Sequence, residues 1–254
     1  VKVKYYTLKL EAKLENGEIY PINSEIKFGI TKKGIAVNDE MGKNLNLKNL
    51  KVGWYYNWSP TPTNETQYSG IEFVPMIWRE TDVEKAKTTI NDLISNNYKY
   101  LLTFNEPDIK GQCNMSVEDV FDIFKKGFQN DNIQISAPVT SAWPKKSEWF
   151  QNFDAKIQKE NNISYDFISI HCYPWNYPGA EMAQWFLEEV IDYTWETYKK
   201  PIWITEFTTI GSTNVITEDN TVDFWKAVMP ELDKRDYVLR YSAFNFKEQK
   251  YSLW

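Results

Sequence analysis

The sequence predicts an α/β protein: a (β/α)8 TIM barrel with degenerate early helices and an amino-terminal β-hairpin extension. Three observations carry that prediction. From residue 32 onward, strand-like runs alternate with helix-like runs, the pattern of βα units and a parallel sheet. The strand candidates number eight, which suits a closed barrel better than an open, doubly wound sheet. A chain of 254 residues also fits such a barrel as a single domain. The expected division is 1-31 for the hairpin extension and 32-254 for the barrel.

Residues 1-31 alternate apolar and polar, and Glu15-Asn-Gly-Glu18 offers an Asn-Gly turn between two strands. The barrel strands are expected at Gly34–Val37, Val52–Trp58, Glu72–Trp78, Tyr98–Phe104, Ile133–Pro138, Asp166–His171, Pro201–Glu206 and Tyr237–Phe246. Thr81-Asp-Val-Glu84 reads as a capping box opening a helix to about Asn96, and Ser116-Val-Glu-Asp119 as another opening one to about Phe128. Further helices follow from Glu148, Ala180 and Asn220, each with apolar residues at helical spacing. The first two crossovers, Asn38–Leu50 and Ser59–Ile71, are short and poorly helical.

Two strands end alike. Tyr98-Lys-Tyr-Leu-Leu-Thr-Phe-Asn-Glu-Pro-Asp108 is an apolar run that stops in a polar cluster, and Lys200-Pro-Ile-Trp-Ile-Thr-Glu-Phe207 repeats the design. Pro107 cannot donate to a ladder and pushes Glu106 toward an extended conformation, so the strand ends at the carboxylate. By count, Glu106 closes the fourth strand and Glu206 the seventh, and the ends of barrel strands meet at one mouth. Simple alternation places Glu206, Ile204 and Ile202 on one face, taken as inward. A single such glutamate is most simply a solvated or Arg-paired carboxylate. Two on opposite sides of one mouth argue for chemistry.

Composition narrows the partner. A net charge of −6 argues against nucleic acid and anionic membranes. No apolar run is long enough to span a bilayer, and no signal peptide is visible, although a chain opening on Val1 makes that absence weak. One histidine, His171, rules out metal sites of the two- and three-histidine kind, and two cysteines, Cys113 and Cys172, read as separate buried thiols. The chain has no Gly-x-Ser-x-Gly elbow and no phosphate-cradling glycine loop. Aromatic residues make up 16%, a heavy load for a core alone. Trp58, Trp78, Trp143 and Trp175 fall at or just past predicted strand ends, where a flat ring can lie against the C–H face of a sugar. Trp149, Trp185, Trp195 and Trp225 fall instead on helices, as packing residues.

The motifs Tyr56-Asn-Trp-Ser-Pro60, Glu72-Phe-Val-Pro-Met-Ile-Trp78, Phe104-Asn-Glu-Pro-Asp108, Gln112-Cys-Asn-Met-Ser116, Ser136-Ala-Pro138, Asp166-Phe-Ile-Ser-Ile-His171 and Lys200-Pro-Ile-Trp-Ile-Thr-Glu-Phe207 resemble glycoside hydrolase family 128, retaining β-1,3-glucanases of clan A. The resemblance runs from about Lys33 to Phe246. It departs at Cys172 and near Ala243, where the family usually has Trp. It implies Glu106 as acid/base and Glu206 as nucleophile, with the carboxyl groups roughly 5–5.5 Å apart. Glycosidic cleavage needs one carboxyl protonated and its partner ionised at the same pH, roles that two acids sharing one mouth can divide.

The resemblance further implies that Asn105 reaches a sugar 2-hydroxyl and that His171 and Tyr173 contact the glycone. Asn57 and Gln112 are weaker candidates of the same sort. No cofactor or metal is expected. The partner is a β-1,3-glucan oligo- or polysaccharide of the laminarin or curdlan type, and the protein is expected to be a monomer at an extracellular or cell-surface location. Two alternatives stand beside this reading: a clan A hydrolase of another β-glycan such as mannan or xylan, and a carbohydrate-binding barrel without catalysis.

Overall fold

The computed structural model describes residues 5–29, 31–37, 49–62, 70–128, 132–174, 179–209 and 217–244. Two antiparallel strands, β1 (Tyr5–Lys13) and β2 (Ile19–Gly29), form a hairpin. Its connection is a five-residue loop, in which the Gly17 amide donates to the Leu14 carbonyl and Gly17 takes a φ of 87° that favours glycine.

The remaining strands run parallel: β3 (Lys33–Ala36), β4 (Trp54–Tyr56), β5 (Glu72–Phe73), β6 (Met76–Ile77), β7 (Tyr100–Asn105), β8 (Gln134–Val139), β9 (Ile168–Cys172), β10 (Ile202–Phe207) and β11 (Val238–Ala243). β5 and β6 are one stave broken at Val74 and Pro75. The Val74 amide donates to Tyr55 on β4, and the Pro75 carbonyl accepts from Leu102 on β7, so the break turns the segment from one neighbour to the other. On the opposite side, a bridge between Ser136 and Phe167 and the Asp166–Ile135 hydrogen bond link β8 to the approach of β9. With β3 paired to β11, eight staves close into a ring among the described residues.

Helices cover the outside: α1 (Val83–Ser95), α2 (Val117–Gly127), α3 (Glu148–Ile157), α4 (Gly179–Trp185) continued by a π-helical stretch (Phe186–Asp192) and α5 (Tyr193–Tyr198), and α6 (Glu218–Lys234). Ser116 caps α2 as expected, accepting from the Asp119 amide. The cap of α1 is Asp82 rather than Thr81, because its carboxylate takes the Glu84 and Lys85 amides together. α6 begins two residues before the expected start, capped by Thr217. The two early crossovers fall mostly at 38–48 and 63–69, outside the described residues.

Alternation along the strands separates a barrel interior from outer layers. Ala36, Trp54, Tyr56, Val74, Met76, Leu102, Val139, Phe167 and Trp203 fill the barrel. Ile202, Ile204 and Phe207 belong to the layer between strands and helices, where Phe207 meets Phe186, Phe224 and Trp225. This corrects the expected phase of β10: Trp203 points inward, and Ile202 and Ile204 point outward. β10 pairs residue for residue with β9 through Ile204 and Ile170, then skips Thr205, so that Glu206 faces His171 and Phe207 faces Cys172. That bulge reverses the alternation and brings Glu206 to the interior. On β7, Leu101 and Phe104 both lie in the outer layer while Leu102 lies inside, and the register slips on either side of Thr103. There the Thr103 and Ser136 hydroxyls take over the hydrogen bonds that a regular ladder would make.

Gly34 on β3 is where the interior leaves no room for a side chain. A Cβ there would sit 2.2 Å from Cε2 of Trp54, whose ring is stacked on Tyr56 and whose N–H is held by the Lys32 carbonyl. Gly34→Ala is therefore expected to lower stability by about 1–3 kcal/mol. Thermal unfolding should read this as a fall of about 2–4 °C per kcal/mol for a chain of this size.

Candidate active site

Glu106 follows β7 and Glu206 lies near the end of β10, both buried. Between them sits His171 at the end of β9, with no exposed surface. Its Nδ1 lies 2.9 Å from Oε1 of Glu106, and its Nε2 lies 3.4 Å from Oε1 of Glu206. One oxygen of each glutamate and a ring nitrogen of His171 all lie within 4.8 Å of one another. Burial pulls the pKa of His171 down, but the charge of Glu206 and the hydrogen bond and charge of Glu106 outweigh it, so the net direction is up.

Donors surround Glu206. Its Oε1 takes the Trp58 indole N–H at 2.8 Å and the Tyr56 hydroxyl at 3.2 Å, and its Oε2 takes the Tyr173 hydroxyl. The same Tyr56 hydroxyl reaches the Thr205 carbonyl at 3.2 Å. Burial, followed by the Glu206 charge, raises the pKa of Tyr56 and Tyr173 far above the ordinary phenol range, keeping both hydroxyls protonated. Two carboxylates and an imidazole are also donor types that a cation accepts. Here, however, Trp58 and Tyr56 already point hydrogens at the Glu206 oxygen nearest the imidazole, which suits the trio to sharing protons rather than a metal ion.

The backbone around these groups is strained. Phe104, Glu106 and Trp58 have φ values of 42°, 48° and 59°, a region that residues with a Cβ adopt at a cost. Glu106 is thus not extended, against the expectation from Pro107. Its amide is held by the Val139 carbonyl at 2.7 Å and its own carbonyl accepts from Ile109, and this pair of bonds overrides the local preference. Asp108, the next residue after Pro107, takes both the amide and the hydroxyl of Ser141, tying the loop after β7 to the loop after β8.

The residues singled out in the sequence divide into groups. Glu106 and His171 share one hydrogen bond, Glu206 takes others from Tyr173 and Trp58, and His171 Nε2 brings the two groups together at 3.4 Å from Glu206. Asn105 adjoins them, its Nδ2 donating to Oε1 of the Gln112 side chain at 3.2 Å, and has a buried Oδ1 with no partner among the described residues. Asn57 shapes its own loop, bonding the Thr61 carbonyl and the Ser59 amide. Trp78 and Trp143 are part-buried against the outer core, and Trp143 meets Trp185 edge to face. Trp175 lies outside the described residues. Tyr56 is the group not singled out. It stands in the Tyr56-Asn-Trp-Ser-Pro60 motif, but a tyrosine on a buried strand carries no local mark of a long-range hydrogen bond. Trp149, Trp195 and Trp225 pack on helices as expected, and Cys113 and Cys172 are buried free thiols.

A sequence-family model described as glycosyl hydrolase catalytic core matches residues 34–253. Among solved structures, the chain is similar to a subgroup I endo-β-1,3-glucanase of glycoside hydrolase family 128 from Amycolatopsis mediterranei, in complex with laminaritriose. They share 28% identity over 85% of this chain and 89% of that one, with a TM-score of 0.72. It is also similar to a subgroup III curdlan-specific exo-β-1,3-glucanase from Blastomyces gilchristii, in complex with glucose, at 30% identity over 84% of this chain and 88% of that one, TM-score 0.65. A subgroup VII oligosaccharide-binding protein from Trichoderma gamsii shares the fold at 21% identity, covering 85% of this chain and 83% of its own, TM-score 0.65. No curated protein matches.

The raised pKa of His171 has a consequence for stability. A histidine whose folded pKa lies above its unfolded value stabilises the fold fully below the ordinary value of 6.5, and the contribution is lost as pH rises through the folded pKa. The difference in melting temperature between wild type and His171→Gln should therefore shrink as pH is raised from below 6.5 into the alkaline range. A difference that stays flat with pH would show that His171 is not held protonated by the two carboxylates.

Proposed function

This chain belongs to glycoside hydrolase family 128, and we propose that it is a retaining β-1,3-glucanase with Glu206 as nucleophile and Glu106 as acid/base. The observation that carries the proposal is the approach of the two carboxylates, one oxygen of each within 4.8 Å in a shared buried setting. That closeness suits direct attack by one of them. An inverting enzyme needs carboxyl groups roughly 6.5–9.5 Å apart to admit a water, against roughly 5–5.5 Å for retention.

The donor pattern supports the division of roles. Glu206, with Trp58, Tyr56 and Tyr173 directed at it, has the surroundings of an anion. Its Oε1 takes two of these donors. Oε2 takes Tyr173 alone among the described residues and keeps the freer lone pair, so it is the oxygen assigned to attack the anomeric carbon. As that bond forms, Glu106 gives its proton to the departing glycosidic oxygen. In the second step Glu106 takes a proton from water, the water oxygen bonds to the anomeric carbon, and the Glu206 ester bond breaks. Two inversions leave the product in the starting β configuration.

The substrate class comes from the relatives. The Amycolatopsis enzyme has been crystallised with laminari-oligosaccharides in forms in which one or another glutamate is replaced. A neutral polymer also agrees with the aromatic groups around the mouth, Trp58 and Tyr173 among them, and such a polymer is met outside the cell or at its surface.

Wild-type protein should release reducing sugar from laminarin and not from mannan or xylan, with the β anomer seen first by NMR. Release from mannan or xylan instead would move the assignment to another β-glycan, and no release from any of the three would leave a binding barrel. Glu206→Gln should abolish turnover. Glu106→Gln should lose roughly 10²–10⁴-fold on laminari-oligosaccharides and much less on aryl glycosides whose leaving group needs no proton. Near wild-type rates in both variants would refute the assignment of the pair.

A further inference from the structure

The bulge that turns Glu206 into the barrel is held from across the interior. Where β10 skips Thr205, that residue leaves the regular pairing with β9, and its carbonyl accepts from the hydroxyl of Tyr56 on β4, 149 residues away in sequence. The phenol has one hydrogen, and its oxygen is 3.2 Å from both the Thr205 carbonyl oxygen and Oε1 of Glu206. Tyr56 has no exposed surface, so no solvent competes for that hydrogen. Its ring is fixed as well, stacked on Trp54 and edge-on to Trp58, which itself donates to the same carboxylate oxygen.

We infer that Tyr56 is a positioning residue for Glu206, its one hydroxyl hydrogen holding both the bulged backbone and the carboxylate that the bulge delivers. The inference rests on the proposed hydrolase reading for its consequence in catalysis. Two donors on Oε1 fix the carboxylate plane and leave Oε2 with Tyr173 alone, and the bulge contact prevents Thr205 from slipping back into register. Without the hydroxyl, Trp58 still holds Oε1, but the backbone beneath Glu206 loses its tie to the far wall.

Tyr56→Phe removes the oxygen and keeps the ring against Trp54 and Trp58, and it leaves His171, Tyr173 and Glu106 facing Glu206. On laminari-oligosaccharides kcat should fall about 10- to 100-fold, the cost of a small misplacement of a reacting group. KM should stay within about twofold, since no substrate contact is removed. Unchanged kcat, or a KM raised as much as kcat is lowered, with or without a lower melting temperature, would overturn the inference.

A second measurement needs neither activity nor a folded Tyr56 variant. In wild-type protein labelled at the tyrosine phenolic carbon, the Tyr56 hydroxyl proton should exchange slowly with solvent and should shift in Glu206→Gln. Exchange as fast as in free tyrosine would sink the inference even if β-1,3-glucan is cleaved. If wild type cleaves no β-glucan, the hydrolase reading falls, and this proton still decides whether Tyr56 binds Glu206.

Discussion

Two carboxylates buried a few ångströms apart repel each other, and the imidazole of His171 is what makes their approach tolerable. It lies between them, Nδ1 hydrogen-bonded to Glu106 and Nε2 3.4 Å from Glu206, and it is itself sealed from solvent. Burial of an imidazolium is unfavourable, yet the paired negative charge reverses the balance. Much of the surrounding architecture serves to bring β7, β9 and β10 into the register that keeps this contact.

The floor of the barrel supports that register with a different cation. The Arg240 guanidinium lies over the rings of Trp203, Tyr100 and Trp54 at 4.4, 4.7 and 5.5 Å and reaches Glu72 at 2.8 Å. Trp54 continues upward to Tyr56, and Tyr56 to Trp58, so an unbroken column of aromatic contacts runs from the Arg240 cage to the Glu206 carboxylate. Flat rings in a packed interior move little, which suits a column whose upper end must hold a carboxylate oxygen in place. The mouth also carries backbone strain at Phe104, Glu106 and Trp58, held by inter-strand bonds such as that from the Glu106 amide to Val139.

Local rules succeeded where the relevant physics is local. Helix starts at Ser116 and Glu148, apolar strands ending at glutamates, and indoles assigned to helix packing all follow from neighbours within a few positions. They failed where a distant partner outweighs a local preference. Pro107 disfavours the observed conformation of Glu106, but the Val139 carbonyl holds it there. Asp82 rather than Thr81 caps α1 because both amides fall within reach of its carboxylate, a difference of one position that spacing alone does not resolve.

The sequence by itself determined the alternating βα order, the two glutamates at strand ends, and the single histidine available to stand between them. These depend on residue type and spacing. Only the tertiary structure decided which way the glutamates face. A strict two-residue period would put Glu206 with Ile202 and Ile204 in the helix-facing layer, and the skipped residue at Thr205 reverses it. A bulge is a property of two strands paired together, stabilised here by a hydroxyl from a third, and no one segment of the chain contains that information.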